Sequence, residues 1–576
     1  MKSFFFVLFS LCAFCCSVVS CFSLDREAFA ISKYDLQVRI DPGQQRLGVR
    51  GKITLRNDSA RSQKIAVLQI SSSLNWLSIR AAGKLLQFVS QPYNSDIDHT
   101  GVLSEAIVTL PNAIAPKSTV ELEIAYEGVV PLDATRLTRV DTPEDAARST
   151  DWDQISSQFT AVRGVGYVTW YPITTEAASL SQGMDLFEVL SRWKARESAS
   201  SMHLQLAVSI GDEEEKPELL VNATSCPSTH EQDSQFLADC TYAPLAAMVP
   251  TFVIAKYEIV ERRNTAVHFL QGHDASAANY ADAAEKVVPL ITDWFGAPRA
   301  MAETADLSDP DAGPFESGSL LLTPLAGLDS KLDGLVAAHQ LTHVAISSPR
   351  PWINEGLAHF AQALYLEQQK GRGVALDYMR THGSAFISAE TGQHSPPRPD
   401  DEVNQSLINT ADEQLYRTKA MDVWWMLRDM VGDPALKKAL ASYRPEQDKE
   451  PSYMQRLIQA QTQRDMEWFF DDWVYRDRGL PDFKVESAFT RKLLPQGYMV
   501  TITVDNLGLA GAEVPVTMKS AGGDVIKRLV VRGRSNTVIR METMNAPEEI
   551  VINDGSVPES DTTNNSFKID PSAISK

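Results

Sequence analysis

Leu335-Val336-Ala337-Ala338-His339-Gln340-Leu341-Thr342-His343, followed shortly by Pro351-Trp352-Ile353-Asn354-Glu355-Gly356-Leu357-Ala358-His359, holds the densest chemistry in the chain. On a helix, residues four apart lie on one face with Cβ atoms about 5–6 Å apart, so His339 and His343 can aim two imidazoles at one metal ion. Two ligands alone hold zinc weakly. A third from a neighbouring segment completes a catalytic-type site with one position left for water, and Glu355, at the start of the next apolar helical pattern, is the candidate. The pair needs this support: with ten His in the chain, such a spacing arises by chance in roughly one chain of this size in six. Glu355 also has a plainer reading, as a residue that caps or solvates the second helix. His359 reads as a packed or hydrogen-bonded residue, because a fourth protein ligand would close the catalytic position.

These two segments resemble the zinc-binding stretch of the alanyl-aminopeptidase family of gluzincins, His-Glu-x-x-His followed by Asn-Glu-Gly. Gly313-Pro314-Phe315-Glu316-Ser317 sits where that family carries Gly-Ala-Met-Glu-Asn, the strand whose Glu holds the substrate's free amine. Tyr416-Arg417-Thr418-Lys419-Ala420 resembles its Tyr-x-Lys-Gly-Ala segment, whose Tyr steadies the oxyanion of the transition state. Asp293-Trp294-Phe295-Gly296 and Trp468-Phe469-Phe470-Asp471-Asp472-Trp473 resemble the segments that open and close its catalytic core. The resemblance covers most of residues 30 to 483. It implies a multidomain α+β protein: a saddle-like N-terminal β domain (30–258), a thermolysin-like, mainly α peptidase domain (259–483) and a C-terminal β-sandwich (484–576). It also implies one zinc ion on His339, His343 and Glu355, a catalytic Tyr416, and substrate contacts from Phe315, Glu316 and Ser317. The partners it implies are peptides or protein N-termini.

The pattern departs from the family in three places. The connection from His343 to Glu355 is short, so Ser347 to Pro351 must turn tightly, and Pro349 and Pro351 suit such a turn. Ser317 stands where the family has Asn, and Arg163 lies near the place expected for a second acid at the amine anchor. The largest departure is Gln340. It occupies the position of the Glu that takes a proton from the attacking water and passes it to the leaving amine. A neutral amide can hydrogen-bond water but cannot accept its proton, and such proton transfer is worth about 10²–10⁴-fold in rate.

Outward from this centre, 576 residues call for roughly three or four domains. Apolar and polar residues alternate in Tyr34-Asp35-Leu36-Gln37-Val38-Arg39-Ile40, and strand-like sequence runs to about Glu258. Near residue 275 the pattern turns helical, with Ala-rich Asn279 to Trp294 ending at Gly296 and Pro298. Mostly helical sequence continues to about Asp477, and a break at Gly479-Leu480-Pro481 precedes renewed alternation in Tyr498 to Val504 and Val514 to Met518. The polar stretch Ser556 to Ser566 reads as a loop or frayed end.

The net charge of −20 disfavours nucleic acid and anionic lipid as partners. Met1-Lys2-Ser3, an apolar run from Phe4 to about Val19 and small residues after it have the layout of a secretory signal over residues 1–23. Val18-Val19-Ser20-Cys21 also fits a lipoprotein cleavage pattern with a lipid anchor on Cys21. The other reading makes the early cysteines mere apolar bulk. No later segment approaches the ~18 uninterrupted apolar residues of a membrane span. Cys226 and Cys240, the two cysteines beyond the signal, read as a disulfide in an exported chain. Asn57, Asn222, Asn404 and Asn564 head Asn-x-Ser/Thr sites that matter in a glycosylating host. Two functional expectations stand together: an exported or cell-envelope zinc peptidase-like protein with impaired hydrolysis, and a non-catalytic scaffold that binds peptides or proteins.

Overall fold

The computed structural model describes residues 24–95, 101–134, 138, 143–164, 169–174, 196–209, 217–232, 235–246, 248–298, 300–392, 406–408 and 414–573. Residues 1–23, read above as a secretory signal, and with them Cys21, lie outside the described residues, as does Asn404.

The first half is built from strands. Tyr34, Leu36, Val38 and Ile40 are buried while Asp35, Gln37 and Arg39 face out, as a strand with one covered face requires. This strand, Phe29–Asp41, lies near the middle of an eight-stranded sheet, paired antiparallel with Arg46–Asn57 and parallel with Ser201–Ser209. A three-stranded sheet of Gln63–Ile70, Gly101–Ile114 and Phe88–Ser95 shares its apolar core. Cys226 and Cys240 are bonded to each other, and Cys240 lies in the strand Gln235–Tyr242.

Two of the candidate glycosylation positions are structural. Asn57 is fully buried, its amide donating to the carbonyls of Arg61 and Ile114. Asn222, 1% exposed, donates to the Val249 carbonyl and to Ser317 while accepting from the Tyr242 hydroxyl.

The second region, read from the sequence as mostly helical, also holds a sheet. Five strands, ordered Glu258–Glu261, Thr265–Phe269, Ala302–Asp306, Leu320–Thr323 and Phe315–Ser317, form a mixed sheet, with the last strand antiparallel at its edge. These strands are three to five residues long. A period of two cannot declare itself over so few positions. Against the sheet lies the helix Asp274–Phe295, which buries Tyr280, Ala284, Val287, Ile291 and Trp294 on one side and carries Pro289 in its interior. The helices Asp333–Ala345, Pro351–Lys370, Arg372–Gly392 and Ala420–Val431 follow.

The C-terminal segment is two sheets, one of three strands and one of four. Its inward residues, among them Val500, Ile502, Val514 and Val516, belong to the same continuous core as the helices. Ser556 to Glu559 is not frayed. Glu559 is buried and accepts hydrogen bonds from Asn553, Asn565 and the Phe483 amide, and burial raises its carboxyl to about 7. No helix among the described residues is long and apolar enough to cross a membrane.

Candidate metal centre

The helix Asp333–Ala345 places His339 and His343 one turn apart, with their Nε2 atoms 3.2 Å from each other. Glu355, in the first turns of Pro351–Lys370, brings Oε2 to 3.7 Å from His339 Nε2 and Oε1 to 3.6 Å from His343 Nε2. Ligands at 2.0–2.1 Å around a tetrahedral ion stand about 3.3–3.4 Å apart. Two imidazole nitrogens and the two oxygens of one carboxylate, at this spacing, border a space of about the size one zinc ion needs.

Protonation agrees with that geometry. Burial, reinforced by the neighbouring His343 and His359, holds His339 well below the usual imidazole range, so it is neutral. Burial tends to raise Glu355, but the pull from the His343 side and from the Arg417 cation outweighs it and brings the carboxyl down to about 2. A neutral imidazole and an ionised carboxylate are the forms that bind metal.

The short link between the two helices is made by its own polar residues. Residues 346–350 lie between the helices, and Pro351 starts the second at N1, where a missing N–H costs nothing. Ser348 donates its amide to Asn354 Oδ1, and the Ser348 hydroxyl accepts from the Arg350 amide and pairs with the Tyr443 hydroxyl. Arg350 Nε reaches both oxygens of the buried Asp448, at 2.8 and 2.9 Å, and Asp448 also accepts from Tyr443. The Asn of the Asn-Glu-Gly segment, in the first turn of the helix that carries Glu355, thus ties that helix back to the turn before it.

Its Gly has a packing reason. A Cβ on Gly356 would lie 2.7 Å from the Ala420 Cβ and 3.0 Å from Trp424 Nε1. Trp424 stacks on Trp352 and donates to its carbonyl, so this face has no slack. Gly356→Ala is expected to cost about 1–3 kcal/mol through overpacking, read as a lower urea midpoint at unchanged m. An unchanged midpoint would show that the two helices part easily.

Gln340 does not face the space between the donors as a free amide. It is 1% exposed; its Oε1 accepts from the Tyr280 hydroxyl at 2.7 Å, and its Nε2 donates to Thr323 Oγ1 at 2.9 Å and Glu316 Oε1 at 3.0 Å. Glu316 is brought in by the edge strand Phe315–Ser317, and a carboxylate oxygen of Glu316 and a ring nitrogen of each of His339 and His343 lie within 4.8 Å of one another. Burial raises the Glu316 carboxyl, against the pull of His343 and the Gln340 hydrogen bond. Ser317 is buried, with its hydroxyl spent on Asn222 and on the Val249 backbone. The Phe315 ring lies 5.5 Å from the Arg163 guanidinium, which is itself paired with the buried Asp153.

Tyr416 falls in a π-helical segment, Gln414–Lys419, that runs into the helix Ala420–Val431; its side chain is outside the described residues. π-helical turns often mark functional positions. Arg417, on the same segment, brings Nε to 3.6 Å from Glu355 Oε2. His359 packs its ring 5.0 Å from that of His339, and its buried Nε2 has no hydrogen-bond partner among the described residues. Burial holds it down to about 4. Tyr280, Thr323 and Arg417 were not singled out from sequence. Only Arg417 lay within a quoted motif, beside Tyr416, and without a role of its own.

No protein-family profile and no curated protein matches this chain. Among solved structures, it is similar to the M1 zinc metallopeptidase of Deinococcus radiodurans at 15% identity and TM-score 0.48, over 76% of this chain and 92% of that one. A point mutant of that protein matches at 16% identity and TM-score 0.49, over 80% and 97%. The mutant bound to a Tyr-Ser-Ala substrate matches at 15% and 0.49, over 77% and 93%.

Proposed function

We propose that this chain is an exported, zinc-holding protein of the aminopeptidase type that binds peptides beside His339, His343 and Glu355 and hydrolyses them slowly or not at all. The observation that carries this reading is the convergence of two imidazoles and a carboxylate at zinc-ligand spacing, with an amide at the position where a proton acceptor is needed. When bound, zinc supplies Lewis acidity toward a peptide carbonyl and toward water. The chain's own part is more limited. Glu355 is oriented by the side-chain amide of Asn354, which donates to its Oε1, and by Arg417, and Glu316 is the carboxylate within reach of a substrate amine. Tyr416 is the oxyanion donor that the motif resemblance implies. Gln340 has no lone pair basic enough to take a proton. The engagement of its amide by Tyr280, Thr323 and Glu316 also favours the second reading, a scaffold that uses the fold for binding alone. We assign the protein to the cell envelope or the medium on the strength of its N-terminal sequence.

Metal analysis of the purified protein tests the reading. One zinc per chain is expected after dialysis, lost in His343→Ala, together with hydrolysis of aminoacyl and peptide substrates near the assay floor. A zinc-free wild type overturns the metal centre, and brisk hydrolysis by the wild type overturns the impairment.

A further inference from the structure

We propose that Gln340 is a positioning residue for peptide recognition: its amide holds one oxygen of the Glu316 carboxylate so that the other is presented to the protonated N-terminus of a peptide, which makes the site selective for ligands with a free amine. This rests on the peptide-binding reading above, and it gives the amide at position 340 a task that a proton acceptor could not perform.

The backbone of Glu316 is fixed, but its side chain is not. The strand is paired residue by residue with Leu320–Thr323, Glu316 opposite Leu321. The next residue, Ser317, is locked by Asn222 and Val249, and Gly318 then turns away at φ +65°. The half-buried Glu316 side chain keeps its own torsions, and among the described residues its carboxylate has one hydrogen bond, 3.0 Å from Gln340 Nε2 to Oε1. Ordering such a long side chain costs entropy, and a bond made before the ligand arrives removes that cost from binding.

Gln340 is matched to this task because it cannot turn. It is buried, its carbonyl accepts from Tyr280 on the helix Asp274–Phe295, and one amide hydrogen goes to Thr323 on the strand Leu320–Thr323. The remaining hydrogen points at Glu316. An ionised carboxylate only accepts, so it is the nitrogen of the amide and not the oxygen that must face it. The Glu316 Oε2 atom has no hydrogen-bond partner among the described residues and is the one left for a ligand.

Distance then selects the first residue of a chain. A carboxylate oxygen of Glu316 and a ring nitrogen of each of His339 and His343 lie within 4.8 Å of one another. In a peptide the nitrogen and the carbonyl carbon of one residue are about 2.5 Å apart. An ammonium held by Glu316 therefore sets the carbonyl of its own residue beside the two histidines. A blocked N-terminus or an internal segment brings no charge to the carboxylate, forgoes the stronger charge-assisted hydrogen bond, and leaves the Glu316 oxygen desolvated without a partner of opposite charge.

Titration calorimetry of the zinc-loaded full chain with trialanine, and with propanoyl-dialanine, which lacks only the amine, decides the matter. The wild type is expected to prefer trialanine by about 10–100-fold, the worth of a hydrogen bond between charged groups. Glu316→Gln is expected to abolish the preference. Gln340→Met removes the donor without adding charge, and Gln340→Asn keeps an amide one methylene too short; each is expected to cut the preference about tenfold and to leave the affinity for propanoyl-dialanine unchanged. Adding Gln340→Met to Glu316→Gln should change neither affinity further, because the two residues act as one unit. General damage to the site would instead weaken both ligands alike, and that result, or a full preference in either Gln340 variant, overturns the assignment. A wild type that binds both ligands equally leaves peptide binding standing and overturns this inference alone. One that binds neither overturns both.

Discussion

Gln340→Glu is expected to raise hydrolysis of aminoacyl and peptide substrates by about 10²–10⁴-fold at equal zinc content, the usual worth of a positioned proton acceptor. The surroundings of residue 340 already suit a carboxylate on one side. Tyr280 at 2.7 Å and Thr323 at 3.2 Å donate to its Oε1 now, and would donate equally to a Glu oxygen. On the other side the change is disruptive. The hydrogen bond from Nε2 to Glu316 is lost, and two carboxylates about 3 Å apart cannot both stay ionised. Either they share one proton or Glu316 swings away, and a proton acceptor results in both cases. The comparison is kcat/KM for wild type and variant over a panel of substrates, with metal content measured in each. Equal rates would mean that residue 340 does not address the substrate.

Arg350→Ala is expected to destabilise the protein by about 3–5 kcal/mol, the cost of stripping the partner from a buried charge. Asp448 has no exposed side-chain surface, and Arg350 meets both of its oxygens. Tyr443 would remain as a single neutral donor. The effect should reach the metal, because Arg350 closes the link between the helix of His339 and His343 and the helix of Glu355. Urea unfolding measures the first effect and zinc affinity the second. Arg350→Ala combined with Asp448→Leu should recover much of the stability, since no unpaired charge is left behind. A single variant as stable as wild type would show that the pair contributes little and that water reaches Asp448.

The sequence was most legible where one residue type does one local job. The alternation in Tyr34 to Ile40 is a strand with one buried face, and Asn279 to Trp294 lies inside a helix. His339 and His343 meet because a four-residue spacing on a helix is a geometric statement, and Glu355 joins them from the next helix across a short link. The three-to-five-residue strands from Thr265 to Thr323 were less visible, too short for their period to show. The environment of Gln340 was not visible at all. Its partners come from the helix at Tyr280, the strand at Thr323 and the edge strand at Glu316, and only the folded sheet brings these together. Sequence could say that an amide is a poor base. It could not say that this amide has other work.

Asn222 matters to whoever produces this protein. Its sequence context invites an oligosaccharide, yet its amide nitrogen is the donor that fastens Ser317, and so the strand of Glu316, to the Val249 backbone. A secretory pathway that glycosylates chains as they emerge would modify Asn222 before it is buried, and a sugar-bearing nitrogen has no room in that position. Such a host would release protein with a misdocked edge strand and a damaged metal centre, while a host without that machinery would not. The choice of expression system is therefore settled by a side chain that touches neither metal nor substrate.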